Sequence, residues 1–168
     1  MGVTLKLKPL QQWICDYCGK VISTPEDGSL EWLDDQQHRA HGFKIIHRLP
    51  ASPRKLAREE GCCHYRKHPD ESKCGLKTYL GTNGLVHLLA FLDVASDDAE
   101  NKGPWVRNMR EFVELFRRVQ LPYYEEARLY WSDAEADDLF DGANQVSPYL
   151  EPALKDIVER YTAKEVAQ

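Results

Sequence analysis

Short alternations of apolar and polar residues in the first half of the chain predict β-strands. Residues 10–14 and 20–23 flank a Cys-x-x-Cys-Gly turn, and residues 29–33 alternate polar and apolar side chains as a half-buried strand does. The β-branched and aromatic residues of 43–47 predict a strand that pairs with 29–33. Residues 51–75 have no such pattern, and we expect an irregular loop there.

In the second half, apolar residues recur at steps of three and four and predict helices. Proline suits the first turn of a helix, because its missing N–H would have no partner there, and Pro104 and Pro148 occupy such positions. The predicted helices span about 82–92, 104–119, 123–132 and 147–162. For the second helix the predicted apolar stripe is Trp105, Met109, Phe112, Val113, Phe116 and Val119.

The composition is that of a globular protein, with 42% hydrophobic residues in a chain of 168. No apolar run approaches the ~20 residues that a membrane-spanning helix needs. The N-terminal residues lack the apolar core of a secretory signal. We therefore expect a cytoplasmic protein with no membrane partner.

The net charge of −5 is distributed unevenly along the chain. Residues 1–80 hold 13 basic and 10 acidic residues, whereas residues 81–168 hold 9 and 17. The acidic half suggests a basic protein as partner. A nucleic acid is the alternative, since a basic patch can contact phosphate groups. The residues predicted for that contact are Arg48, Arg54, Lys55 and Arg58.

The stretch Cys15–Gly19, which we call the knuckle, has the spacing of half a tetrahedral metal site. Two thiols two residues apart can face one ion about 2.3 Å away, and glycine allows the tight turn beneath it. The chain has five cysteines, an odd number, so disulfides would leave one cysteine unpaired. Clustered cysteines with nearby histidines in a reducing compartment favour a metal.

For the other half of the site we predict His47 and Cys62. His47 ends a predicted strand, where a hairpin would return a side chain to the knuckle, and Cys62 follows after a loop of suitable length. Cys62 and Cys63 cannot easily share one metal, because neighbouring side chains point apart. Cys63, His64 and Cys74 therefore stay as alternatives to Cys62. With Cys15, Cys18, His47 and Cys62 a zinc ion is fully coordinated, which is typical of structural sites.

A catalytic interpretation is the second possibility. The order of the knuckle, His47 and residues 62–64 resembles that of an HNH nuclease, in which a histidine base activates water beside a divalent cation. Three departures count against it. Ile46 stands where an Asp is expected, the second pair is Cys-Cys rather than Cys-x-x-Cys, and no asparagine lies between His47 and His64.

Motifs along most of the chain resemble a group of small bacterial zinc-ribbon-like proteins. The resemblance implies a zinc-ribbon-like N-terminal region and favours Cys62 as the fourth ligand, because Gly-Cys recurs in that group. It implies no activity, and Cys63 and Cys74 are particular to this chain. The motifs are Trp13–Gly19, Asp27–Gly28, Glu31–Trp32, Phe43–His47, Gly61–Cys62, Leu80–Leu85 and Leu121–Arg128.

We therefore predict an α+β protein, with a zinc-ribbon-like β lobe over residues 1–80 packed on three to four helices over 81–168. Its predicted role is a zinc-binding module that contacts a protein or a nucleic acid, more consistent with regulation than with catalysis. The alternatives are an HNH-like nuclease and an accessory component of a bacterial toxin–antitoxin or phage-defence system.

Overall fold

The computed structural model describes residues 6–53, 61–93 and 105–167, which form a mixed α+β fold as the sequence predicts. The strands are β1 (Trp13–Ile14), β2 (Val21–Ile22), β3 (Gly28–Asp34), β4 (Ala40–His47) and β5 (Glu71–Gly75). The α-helices are α1 (Gly81–Ala90), α2 (Met109–Gln120), α3 (Tyr124–Ala127), α4 (Trp131–Ala136) and α5 (Glu151–Ala167).

The strands form two small antiparallel sheets. β1 and β2 pair across the knuckle, and they are shorter than predicted because Leu10 lies in a turn with φ 55°. β3 lies at the centre of the other sheet, whose order is β4-β3-β5. The predicted pairing of β3 with β4 is confirmed, with Leu30 opposite Ile45. Both side chains are fully buried, as the alternating pattern requires.

The strand β5 contradicts the prediction of an irregular segment over 51–75. Glu71–Gly75 pairs with β3 along its whole length, from Leu33 opposite Glu71 to Ser29 opposite Gly75. Its sequence is polar, because it is an edge strand with intermediate or exposed side chains and needs no apolar alternation. Residues 54–60 of the predicted loop lie outside the described part of the chain.

Helix α2 begins later than predicted. Residues 105–107 are held against β4, where Ala40 and Val106 form a parallel bridge. The side chain of Asn108 then accepts hydrogen bonds from the amides of Arg110 and Glu111 and caps the helix. Pro104, predicted at its first turn, lies outside the described residues.

The buried face of α2 also differs from the predicted stripe. Met109 and Val113 are 47% and 37% exposed, so neither is a core residue. Two residues that the stripe omitted, Leu115 and Arg118, are buried. The helix is therefore rotated relative to the prediction, and it directs a cation into the protein.

The later helical segments agree broadly with the sequence pattern. The predicted helix over 123–132 is divided into α3, a 3-10 turn and α4, and the last helix α5 follows a 3-10 turn at Ser147–Tyr149. In the part of the chain that is described, no helix is long and apolar enough to cross a membrane.

The described residues contain two hydrophobic clusters. The first lies between the sheets and helices α1 and α2, and it includes Trp13, Leu30, Ile45 and Leu88. The second joins α3, α4 and α5 through residues such as Leu154. The predicted division of the chain near residue 80 stays a prediction.

A buried ion-pair network connects α2 to the knuckle. The Arg118 guanidinium donates to Asp16 and to Glu125, each at 2.7 Å, and to the carbonyl oxygen of Ile14 at 3.1 Å. Burial alone would lower the pKa of Arg118, but the two carboxylates raise it above its ordinary value, so the side chain stays charged. Glu125 also accepts a hydrogen bond from Ile14 N at 3.0 Å.

We expect the Arg118→Met substitution to lower the free energy of unfolding by about 3–5 kcal/mol, because it removes the buried cation and leaves the two carboxylates only the partly exposed Arg128 as a partner. The measurement is guanidinium denaturation in a buffer that contains zinc, followed by circular dichroism. The matched control is Arg160→Met, since Arg160 pairs with Asp156 on an exposed helix surface and should matter little. Equal effects of the two substitutions would contradict the role assigned to Arg118.

Candidate metal centre

The structure brings together the four residues that the sequence predicts around one metal ion. One possible ligand atom from each of Cys15, Cys18, His47 and Cys62 lies within 4.8 Å of the others. Tetrahedral zinc with bonds of ~2.3 Å to sulfur would hold its sulfur ligands about 3.8 Å apart. The cysteines are free rather than joined in disulfides. The arrangement can therefore hold a metal ion.

The knuckle positions Cys15 through its backbone. Gly19, with φ 70°, donates its amide to the carbonyl oxygen of Cys15 at 2.9 Å and closes the turn. Amides of Tyr17, Cys18 and His47 are directed at the Cys15 sulfur. Such amides stabilise a thiolate, which is the form that binds metal.

His47 is oriented by a hydrogen bond on the side of the ring away from the cysteines. Its Nε2 lies 3.1 Å from the carbonyl oxygen of Val21, and because a carbonyl can only accept, Nε2 carries the hydrogen in this contact. The other ring nitrogen, Nδ1, faces Cys18, whose sulfur is 3.5 Å away. A carbonyl that fixes the tautomer of a ligand histidine in this way is typical of metal sites.

Cys62 reaches the site through a tight approach of two loops. Gly61 has φ 62°, and a Cβ added there would lie 2.9 Å from Cβ of Ser52, so a larger residue would force the loops apart. The Ser52 hydroxyl lies 3.2 Å from the Cys62 sulfur. The small residue at position 61 thus allows a fully buried thiol at position 62.

The interior of the site disfavours thiolates unless a cation is present. Burial raises the pKa of the Cys15 thiol to about 12, against the lowering effect of the nearby amides. Burial also raises the pKa of Cys62. A divalent cation would stabilise the charged sulfurs, so metal binding and thiol deprotonation are coupled here.

Asp16, inside the knuckle, attaches the site to the rest of the fold. Its amide donates to the carbonyl oxygen of Ile45 at 2.8 Å, and its carboxylate accepts from the amide of Ile45 at 2.7 Å. The same carboxylate pairs with Arg118. The knuckle is thereby fixed to β4 and to α2, which the sequence analysis did not predict. No local sequence pattern indicates this pairing, because Asp16 and Arg118 lie 102 positions apart.

The alternatives to Cys62 lie outside the group of four. The Cys63 thiol donates to Glu71 at 3.3 Å, and the Cys74 thiol lies 3.5 Å from the hydroxyl of Thr78. The ring of His64 contacts aromatic neighbours. The statement that neighbouring cysteines point apart therefore holds for Cys62 and Cys63.

The structure describes only one of the four basic residues predicted to contact nucleic acid. Arg48 is exposed and donates to the carbonyl oxygen of Glu26 at 3.5 Å. Arg54, Lys55 and Arg58 lie outside the described residues.

No protein-family model, curated protein or solved structure matches this chain. Interpretation of the function therefore depends on the geometry and chemistry of the site.

We expect Cys62→Ser to weaken binding of the tightest zinc ion more than about hundredfold, because loss of a direct ligand should exceed the effect of losing a supporting hydrogen bond. Competition with a chromophoric chelator measures this affinity. The matched control is Cys74→Ser, which removes a thiol from outside the group of four. Unchanged zinc affinity in Cys62→Ser would mean that another residue supplies the fourth ligand.

Proposed function

We propose that Cys15, Cys18, His47 and Cys62 bind one structural zinc ion, and that the protein is a binding or regulatory module built on the region this ion stabilises. The single observation that carries the proposal is the convergence of three thiols and one imidazole at a mostly buried point. Three cysteines and a histidine form a common structural zinc set. Thiolates also select zinc over the hard cations magnesium and calcium.

The small size of the first sheet supports a folding role for the metal. β1 and β2 have two residues each, and few hydrogen bonds hold such a short hairpin. Zinc bound between the knuckle, the end of β4 and the Cys62 loop would join three separate segments. We propose on this basis that the N-terminal region is zinc-ribbon-like and related to the small bacterial proteins that its motifs resemble.

The surroundings of His47 support a structural rather than a catalytic role. A general base needs a ring nitrogen that can reach water or substrate. His47 is 5% exposed, its Nε2 faces Val21, and its Nδ1 faces Cys18. Four protein ligands would also leave the zinc ion no position for water. The HNH-like nuclease is therefore the weaker hypothesis.

We propose a basic protein as the partner. The support is the charge of residues 81–168, which hold 9 basic and 17 acidic residues and would attract a positively charged surface. An accessory component of a toxin–antitoxin or phage-defence system would fit this description. A nucleic acid bound through Arg48, Arg54, Lys55 and Arg58 is the competing proposal.

Removal of zinc by a strong chelator should unfold the N-terminal region, because the metal supplies folding free energy there. The emission of Trp13, which is fully buried, should shift to longer wavelength as its surroundings become wet. Trp13→Phe identifies its contribution among the four tryptophans of the chain. A chelated protein with the native Trp13 emission would contradict a structural role for the metal.

The zinc-loaded full-length chain should neither cleave nor shift nucleic acid. Plasmid incubated with Mg²⁺ or Mn²⁺ should stay intact, and no DNA or RNA mobility shift should appear at low salt. Cleavage that His47→Ala abolishes in a folded variant would establish the nuclease instead. A salt-dependent shift that is lost when Arg54 and Lys55 are neutralised would establish nucleic-acid binding.

A further inference from the structure

A second group of possible metal ligands lies on the other side of the Cys62–Cys63 peptide. One ligand atom from each of Glu31, Cys63 and Glu71 lies within 4.8 Å of the others. Glu31 and Cys63 are buried, and the side chain of Glu71 is 11% exposed. None of these residues belongs to the group around Cys15, so the two clusters are separate.

Glu31 is the unusual member of this group. It is fully buried, and its Oε2 accepts a hydrogen bond from the amide of His64 at 2.8 Å. Its Oε1 is buried too, and it has no hydrogen-bond partner among the described residues. A carboxylate oxygen without a partner in the interior is costly, because the charge loses its hydration and gains nothing in return.

The strand register explains why the two glutamates meet. Glu31 in β3 lies opposite Lys73 in β5, and Glu71 lies opposite Leu33, two residues along the strand. Residues two apart share a face of the sheet, so the carboxylates of Glu31 and Glu71 are diagonal neighbours. Two carboxylates this close repel each other, so a cation bound between them would stabilise the arrangement.

The described residues supply only part of that positive charge. Lys73 Nζ lies 2.9 Å from Oε1 of Glu71, but more than half of the Lys73 side chain is exposed. Within the cluster, Lys73 contacts only Glu71, and the Cys63 thiol donates its proton to the same carboxylate. A divalent cation between the three side chains would offset both carboxylates, and the proton of the Cys63 thiol would be released as the sulfur binds.

We propose that Glu31, Cys63 and Glu71 form a second zinc site, which keeps one coordination position open. This proposal is independent of the function proposed above. Zinc accepts mixed sulfur and carboxylate ligands, whereas a thiolate is a poor ligand for magnesium or calcium. In this site the cation supplies the partner that Oε1 of Glu31 lacks. Three protein ligands leave the fourth position of a tetrahedral ion free for water or an anion.

A groove borders the cluster in the described part of the chain. Basic side chains line it and would attract an anion toward the metal. Its lining includes Ser29, Glu31, Ile46, Arg48, Cys63 and Lys73. The groove also touches His47 of the group around Cys15, so it connects the surroundings of the two clusters to solvent.

Zinc titration of the full-length protein, monitored by native mass spectrometry, tests the second site. The wild-type chain should bind two zinc ions, and Glu31→Gln and Cys63→Ser should each bind one. Glutamine keeps the shape of Glu31 but removes its charge, and serine keeps the size of the thiol. Cys74→Ser is the matched control, because Cys74 also borders the groove but lies outside the cluster, and it should still bind two.

Thermal unfolding supplies a second readout. The melting temperature of the wild type should keep rising as zinc increases beyond one equivalent, because a ligand that binds the native state stabilises it. In Glu31→Gln the rise should stop at one equivalent. If Cys63→Ser does not fold, Glu71→Gln replaces it. Variants at Glu31 and Cys63 that bind as many zinc ions as the wild type would overturn the proposal, as would loss of an ion in Cys74→Ser.

Cobalt tests the open position. In wild-type protein loaded with two equivalents of Co²⁺, azide should change the visible spectrum, because it enters the free position. The spectrum of Glu31→Gln loaded with one equivalent should stay unchanged. A wild-type spectrum that azide does not alter would overturn the open coordination.

Discussion

The Arg118 guanidinium lies in the interior, where it pairs with Asp16 from the knuckle and with Glu125 from α3. An arginine is suited to this position, because its planar fork can bind two carboxylates and a carbonyl oxygen at once. Asp16 in turn holds both the amide and the carbonyl of Ile45. Through these contacts the knuckle, the central sheet and the helices share one network. Arg128 also pairs with both carboxylates, but it is partly exposed, so loss of Arg118 removes the buried cation that they share.

The four candidate metal ligands are positioned by different parts of the fold. The positions of Cys15 and Cys18 follow from Asp16 and the knuckle turn, and the position of His47 follows from β4. Cys62 is carried by a loop that passes close to Ser52. A bound ion would join this loop to the knuckle and to the end of β4. The two-residue strands β1 and β2 beside it have few hydrogen bonds of their own, so they too would gain from that link.

Much of this arrangement could be predicted from local sequence patterns. The pairing of β3 with β4 and the proximity of the four metal-binding candidates depend on alternation and cysteine spacing, which are visible in the sequence. The strand β5 was missed because an edge strand carries no apolar signal. The rotation of α2 was missed because the predicted stripe counts apolar residues only, and the buried face includes the charged Arg118. A buried ion pair joins residues about a hundred positions apart, and no local pattern records it.

The neighbouring residues Cys62 and Cys63 show the same limit of prediction from local sequence patterns. The sequence indicates that neighbouring side chains diverge, which favours one of these cysteines for the group around Cys15. It does not indicate what the other one meets, because Glu31 and Glu71 come from strands that pair only in the folded chain. In the structure Cys62 belongs to the group of three thiols and one imidazole, and Cys63 belongs to the group with two glutamates. A change that moves this peptide would alter both groups together, since no flexible residue separates the two side chains.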